Sequence, residues 1–154
     1  MSYTLTILIP AYNEEDTITA ILEQVKKVQL LQNTQKEIIV VDDASKDKTK
    51  EKVEAFQVQN PDLSLHYHAH SVNKGKGAAL HTGIALATGD FLIIQDADLE
   101  YKPEEYNLLL RPVLEGVADV VYGSRFMGGR PHRILFFWHS IGNKWLTFLS
   151  NRSK

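Results

Sequence analysis

EIIVVDDASKDKT, residues 37–49, runs from an unbroken apolar stretch straight into two adjacent aspartates and then into turn-forming residues. The run 37–43 reads as a buried strand, and a helix is predicted over 47–58. The same order recurs on both sides. TLTILIP (4–10) reads as a buried strand ended by Pro10, followed by a helix over 16–31 with apolar residues Ile18, Ile21, Leu22, Val25 and Val28 at helical spacing. Asp16 or Thr17 is placed to cap it. Downstream, SLHYHAH (64–70) is a shorter third strand, NKGKG opens a helix that Gly89 is expected to close, and DFLIIQD (90–96) is a fourth strand. A helix over 103–116 with Pro at its first turn and a fifth strand over 118–125 complete the pattern. Strand and helix in alternation predict an α/β domain with a mainly parallel sheet.

The 154 residues are enough for one domain with a real core, and 44% apolar with 23% charged residues is ordinary for a globular chain. A net charge of −2 gives no reason to expect nucleic acid as a partner. Without cysteine there are no disulfides or thiolate metal sites. No basic, apolar leader opens the sequence and no stretch approaches the ~20 apolar residues of a membrane span, so a cytoplasmic location is expected.

In parallel α/β sheets ligands bind beyond the carboxyl ends of the strands. The unusual polar residues fall there: AYNEE after the first strand, DDAS after the second, NKGKG after the third, QDADLE after the fourth and GSR after the fifth. Asp96, Asp98 and Glu100 occupy every second position. In an extended segment such residues share a side, about 6–7 Å apart at Cα. Two carboxylates within ~5 Å would repel by about 3 kcal/mol at an effective dielectric near 20. A bound cation reverses that sign, and carboxylate oxygens suit Mg²⁺ or Mn²⁺, which commonly shares its coordination with substrate phosphates. The alternative for an isolated pair is a solvated acidic loop; its place after FLII favours the metal. Asp43 can accept the imino N–H of a base, or Asp42 and Asp43 can form an Asx turn into ASKD. Glu14 can accept from ribose hydroxyls, or simply place charge in a first helical turn. NKGKG offers glycines, backbone N–H groups and two lysines as an anion cradle, or a surface turn.

Taken together and in order, TILIPAYNEE, EIIVVDDASKDKT, NKGKGAAL, GDFLIIQDADLE and VVYGSRF resemble the inverting family-two glycosyltransferases, with their Rossmann-like GT-A fold. The likeness is greatest to the dolichyl-phosphate and polyprenyl-phosphate mannosyl- and glucosyltransferases. It implies a GDP- or UDP-sugar donor, Mg²⁺ or Mn²⁺ as cofactor and a polyprenyl phosphate acceptor. Pro10, Tyr12, Glu14, Val41, Asp43, Lys76, Asp96 and Ala97 match the nucleotide-binding positions. Asp96 and Asp98 match the metal-binding D-x-D, with Glu100 as a third ligand, and Asp98 and Arg125 take the catalytic positions. The resemblance divides the chain into a nucleotide-sugar-binding core (1–125) and the start of an acceptor-side segment (126–154). Family members continue past LTFLSN, so the chain reads as cut short at its C-terminal end.

A lipid phosphate arrives ionised and needs no general base, only cations to hold it; Arg125, Arg130 and Arg133 are candidates. After Arg133, Ile134, Trp138, Ile141, Trp145 and Phe148 form one helical stripe over 134–149. It suits a helix lying in a membrane interface, which would place the protein at the cytoplasmic face, or a helix packed on its own domain or across a homodimer. A glycosyltransferase with a UDP-sugar and a saccharide acceptor, and a nucleotide-binding module without transfer, are the alternatives.

Overall fold

The computed structural model describes residues 2–123. Arg125, Arg130, Arg133 and the stripe over 134–149 lie outside the described residues. Four strands, β1 (Thr4–Ala11), β2 (Gln35–Asp42), β3 (Leu65–Ala69) and β4 (Phe91–Ile94), form an all-parallel sheet in the order β3-β2-β1-β4. The crossovers carry α1 (Ile18–Lys27), α2 (Thr49–Gln59) and α3 (Lys76–Leu86), and α4 (Tyr106–Leu114) follows a 3-10 turn at Pro103–Glu105.

Strand alternation sorts the core into two layers. Leu5, Ile7 and Ile9 of β1, with Ile38 and Val40 of β2, point to one side and pack with Ile18, Ile21, Leu22 and Val25 of α1, Val53 and Phe56 of α2, and Tyr106 and Leu110 of α4. Leu8, Ile39 and Val41 point to the other side, against Ala79 of α3. Both faces of β1 and β2 are therefore covered, which is why their sequences are near-continuous apolar runs. Helix α3 lies close because Gly83 has no side chain. A Cβ there would sit 2.0 Å from Leu8 Cδ1.

Three boundaries differ from the sequence expectation. The first helix ends at Lys27 rather than at 31, where Val28 turns extended (φ −64°, ψ 128°). The Lys36 ammonium donates to the carbonyls of Val25, Lys26 and Val28 at 3.0, 2.6 and 2.8 Å, satisfying acceptors that a helix end leaves open. Gly89 does not close α3; the helix stops at Leu86 with Ala87 extended. Gly89 instead sits so near β1 that a Cβ would lie 2.6 Å from Thr6 Oγ1 and 2.8 Å from the Thr4 carbonyl oxygen. The fifth strand is not formed over 118–123, which is irregular, with Val117 and Val120 74% and 66% exposed. The apolar pattern is present, but a strand needs a hydrogen-bonding neighbour, and among the described residues β4 pairs with β1 alone.

Below the sheet, buried Glu37 accepts from the Thr6 hydroxyl, from Thr88 Oγ1 at 2.6 Å and from the Thr88 amide at 3.0 Å. Burial raises the pKa of this carboxyl, but the hydroxyl and amide donors outweigh it and hold it below the ordinary value. A carboxyl depressed in the folded state stabilises the fold above its unfolded pKa of about 4.3 and loses that contribution on acidification. Between pH 5 and pH 3.5 the urea midpoint is expected to fall less steeply in Glu37→Gln than in the unmodified chain. Parallel curves would remove Glu37 from the acid response.

Candidate active site

The strand ends build one cleft. Pro10, Ala11, Tyr12 and Glu14 from the end of β1, Asp43 from the end of β2, Asn73, Gly75, Lys76 and Ala79 from the start of α3, and Asp96, Ala97 and Asp98 after β4 line a cavity of about 320 Å³. Of the nucleotide-binding positions expected from the sequence, Pro10, Tyr12, Glu14, Asp43, Lys76, Asp96 and Ala97 come together here. Val41 does not line it; its side chain is fully buried with Leu8, Ile39 and Ala79.

The loops that follow β1 and β2 are laced together beside the cleft. Asn13 adopts φ 56°, its amide donates to Ser45 Oγ at 2.9 Å, and its side-chain oxygen accepts from the Lys46 amide at 2.9 Å. The Glu14 amide donates to Thr49 Oγ1 at 2.8 Å, and the Glu15 amide to Asp47 Oδ2 at 2.9 Å. Asp42 steadies the turn that follows it, accepting the Ser45 amide three residues on at 2.8 Å and the Tyr67 hydroxyl at 2.6 Å. Glu14 accepts from Thr17 Oγ1 at 2.5 Å, so one carboxylate oxygen steadies the entry to α1.

Asp43 lines the cleft and is also bonded within the protein. Its Oδ1 accepts from His70 Nδ1 at 2.7 Å and the Lys74 amide at 2.9 Å; its Oδ2 accepts from the Lys74 and Gly75 amides at 3.1 and 2.6 Å. Burial raises the carboxyl's pKa, yet the Lys74 amide, His70 and the Gly75 amide together hold it below the ordinary value. Three protein donors thus share a carboxylate that has about four acceptor positions.

Strand β4 ends at Ile94, so Asp96 and Asp98 belong to a turn and not to a pleated strand. Buried Gln95 shapes that turn. Its Nε2 donates to the carbonyls of Asp96 and Tyr101 at 2.9 and 3.2 Å, and its Oε1 accepts from the Tyr106 hydroxyl at 2.7 Å. Burial pushes the Tyr106 phenol above its usual pKa, keeping it a donor. Leu99 takes φ 61°, which breaks the alternation before Glu100. Glu100 therefore does not join the two aspartates as a third ligand: among the described residues no group of three His, Cys, Asp or Glu is placed to hold a metal. Asp96 Oδ1 accepts from Lys76 Nζ at 2.6 Å and Asp98 Oδ1 from the Glu100 amide at 3.1 Å; neither bond uses Oδ2. Two carboxylates lining one cleft beside a lysine fit Mg²⁺ or Mn²⁺ whose remaining positions are filled by phosphate and water. The Lys76–Asp96 pair is exposed enough to be worth under about 1 kcal/mol, so it opens readily for a ligand.

Sequence reasoning singled out neither His70 nor Gln95. A polar residue inside an apolar strand, such as Gln95 after FLII, was the one available signal. Among the described residues no helix is long and apolar enough to cross a membrane.

The family model for glycosyl transferase family 2 matches residues 6–147. A dolichol-phosphate mannosyltransferase of Pyrococcus furiosus is 31% identical over 125 residues, covering 81% of this chain and 34% of the relative. A mannosyltransferase from Pyrobaculum calidifontis, solved in complex with GDP-Man and Mn²⁺, is 32% identical with a TM-score of 0.58 over 64% of this chain and 28% of its own. Glucosyl-3-phosphoglycerate synthase from Mycobacterium tuberculosis, solved with Mn²⁺, UDP and glucosyl-3-phosphoglycerate, is 26% identical with a TM-score of 0.58 over 73% of this chain and 40% of its own. The chain spans about a third to just over half the length of the curated relatives it matches.

Proposed function

The chain belongs to glycosyl transferase family 2 and has its GT-A fold, and from that premise we propose that it moves a hexose, mannose or glucose, from a nucleotide-diphosphate-sugar to a polyprenyl phosphate with inversion. The observation that carries the donor half is the convergence of Tyr12, Glu14, Lys76, Asp96 and Asp98 on one cleft at the carboxyl ends of parallel strands. Tyr12, 44% exposed, would offer a ring for the base, and Glu14, which lines the same cleft, would accept from ribose hydroxyls. Lys76, at the start of α3, is placed to hold a phosphate once it leaves Asp96. Asp96 and Asp98 would hold the divalent cation. When bound, Mn²⁺ or Mg²⁺ offsets the charge that develops on the departing nucleoside diphosphate.

The lipid phosphate acceptor is supported by the likeness to the dolichol-phosphate mannosyltransferase and by the aromatic stripe of residues 134–149. An ionised phosphate attacks without a base, and Arg125, Arg130 and Arg133 would orient it. The protein would then work on the cytoplasmic surface of a membrane. Labelled GDP-mannose and UDP-glucose, each offered with Mn²⁺ and either polyprenyl phosphate or free saccharides, test this. Label is expected in the organic phase, and Arg125→Ala should lower it at least ~30-fold. Label found only on saccharide would overturn the lipid acceptor, and nucleotide binding without any transfer would reduce the chain to a nucleotide-binding module.

A further inference from the structure

His70 follows β3 directly, with its side chain buried (4% exposed) and both ring nitrogens engaged. Nδ1 meets Asp43 Oδ1 at 2.7 Å and Nε2 meets Thr82 Oγ1 at 2.9 Å. Thr82 lies on α3, six residues after Lys76. Asp43 in turn accepts the amides of Lys74 and Gly75, the two residues that lead into α3. Gly75 holds φ 88°, a conformation that only glycine adopts at no cost. Three segments are thus tied through one imidazole: the end of β2, the Lys74–Gly75 loop and the body of α3.

What this clamp fixes is Lys76, the first residue of the helix and the cation in the cleft. We propose that His70 is a positioning residue for donor binding: through Asp43 and Thr82 it holds the start of α3 so that Lys76 meets the diphosphate. This rests on the proposed donor site. It also gives the second aspartate of the DD pair a structural task beside its place in the cleft, because its carboxylate accepts from two amides and an imidazole that hold the loop. Through Lys76 the clamp acts on the phosphate end, which is common to every nucleoside diphosphate.

That independence of the base supplies the test. Binding of GDP and of UDP, each with Mn²⁺, is measured by titration calorimetry on the 154-residue chain. His70→Ala is expected to weaken both about tenfold and by the same factor, while Thr82→Val, which removes one of the two ties, weakens both about threefold. His70→Asn, whose amide reaches Asp43 as Nδ1 does, should recover most of the loss. Glu37→Gln, a buried variant at the opposite end of the sheet, serves as the stability control and should leave both affinities unchanged even where its Tm falls as far. Affinities of His70→Ala equal to those of the unmodified chain overturn the positioning role and leave the donor site standing. So does a loss confined to one nucleotide, or an equal loss in Glu37→Gln. If the unmodified chain binds neither nucleotide, the donor site fails and the inference goes with it.

Discussion

Asp98→Ala is expected to abolish the thermal stabilisation that GDP or UDP gives in the presence of Mn²⁺. A ligand that binds only the folded state stabilises it by RT ln(1 + [L]/Kd), about 2.7 kcal/mol at a hundredfold excess over Kd. For a chain of this size that corresponds to a Tm rise of about 10 °C. Asp98 is one of the two D-x-D carboxylates that line the cleft with Lys76, and removing it leaves of that pair Asp96, whose Oδ1 already accepts from that lysine. A hundredfold loss of affinity at the same ligand concentration would shrink the rise to about 1–2 °C, and omitting Mn²⁺ should do the same to the unmodified chain. Glu100→Gln separates the turn geometry from the simple alternation pattern. The residue follows Leu99 at φ 61° and does not line the cleft, so its nucleotide shift should be retained. A full shift in Asp98→Ala would remove the donor site from this cleft, whereas a lost shift in Glu100→Gln would restore the three-carboxylate reading.

The parts of the fold that were legible are those where one physical requirement dominates. β1 and β2 are covered on both faces, so burial alone dictates their apolar runs, and their predicted limits lie within two residues of those observed. Helix ends were less legible because they depend on partners distant in sequence. Lys36 ends α1 from the next strand, and no pattern within residues 16–31 announces it. The D-x-D pair shows the same division. It follows the apolar strand β4 and both side chains line one cleft, but its geometry is that of a turn organised by Gln95 and Tyr106. Alternation extended to Glu100 therefore failed. His70 was invisible for a related reason: a lone histidine acquires meaning only from Asp43, 27 residues earlier, and Thr82, twelve later.

Gly89 offers the sharpest test of how a sequence signal can be right in residue and wrong in cause. A glycine just past an apolar helix suggests a left-handed cap, and replacing such a residue with alanine costs about 1–2 kcal/mol of backbone strain. Here Gly75 and Gly116 are the glycines with positive φ among the described residues, and Gly89 is not one of them. Its Cβ would instead meet Thr6 Oγ1 at 2.6 Å, the Thr4 carbonyl oxygen at 2.8 Å and the Thr6 amide nitrogen at 2.9 Å. Two of those three atoms are backbone of a central strand and cannot rotate away. The Gly89 amide also donates to Thr6 Oγ1 at 3.1 Å, so pushing the segments apart sacrifices that bond too. Gly89→Ala should therefore cost about 3 kcal/mol and lower Tm by about 10 °C. The cause can be read from a double-mutant cycle with Thr6→Ala. A close approach predicts strong coupling, because the two substitutions act on the same contact, while a cap predicts additivity, because Thr6 plays no part in a helix end. Additive effects near 1 kcal/mol would return Gly89 to the capping role.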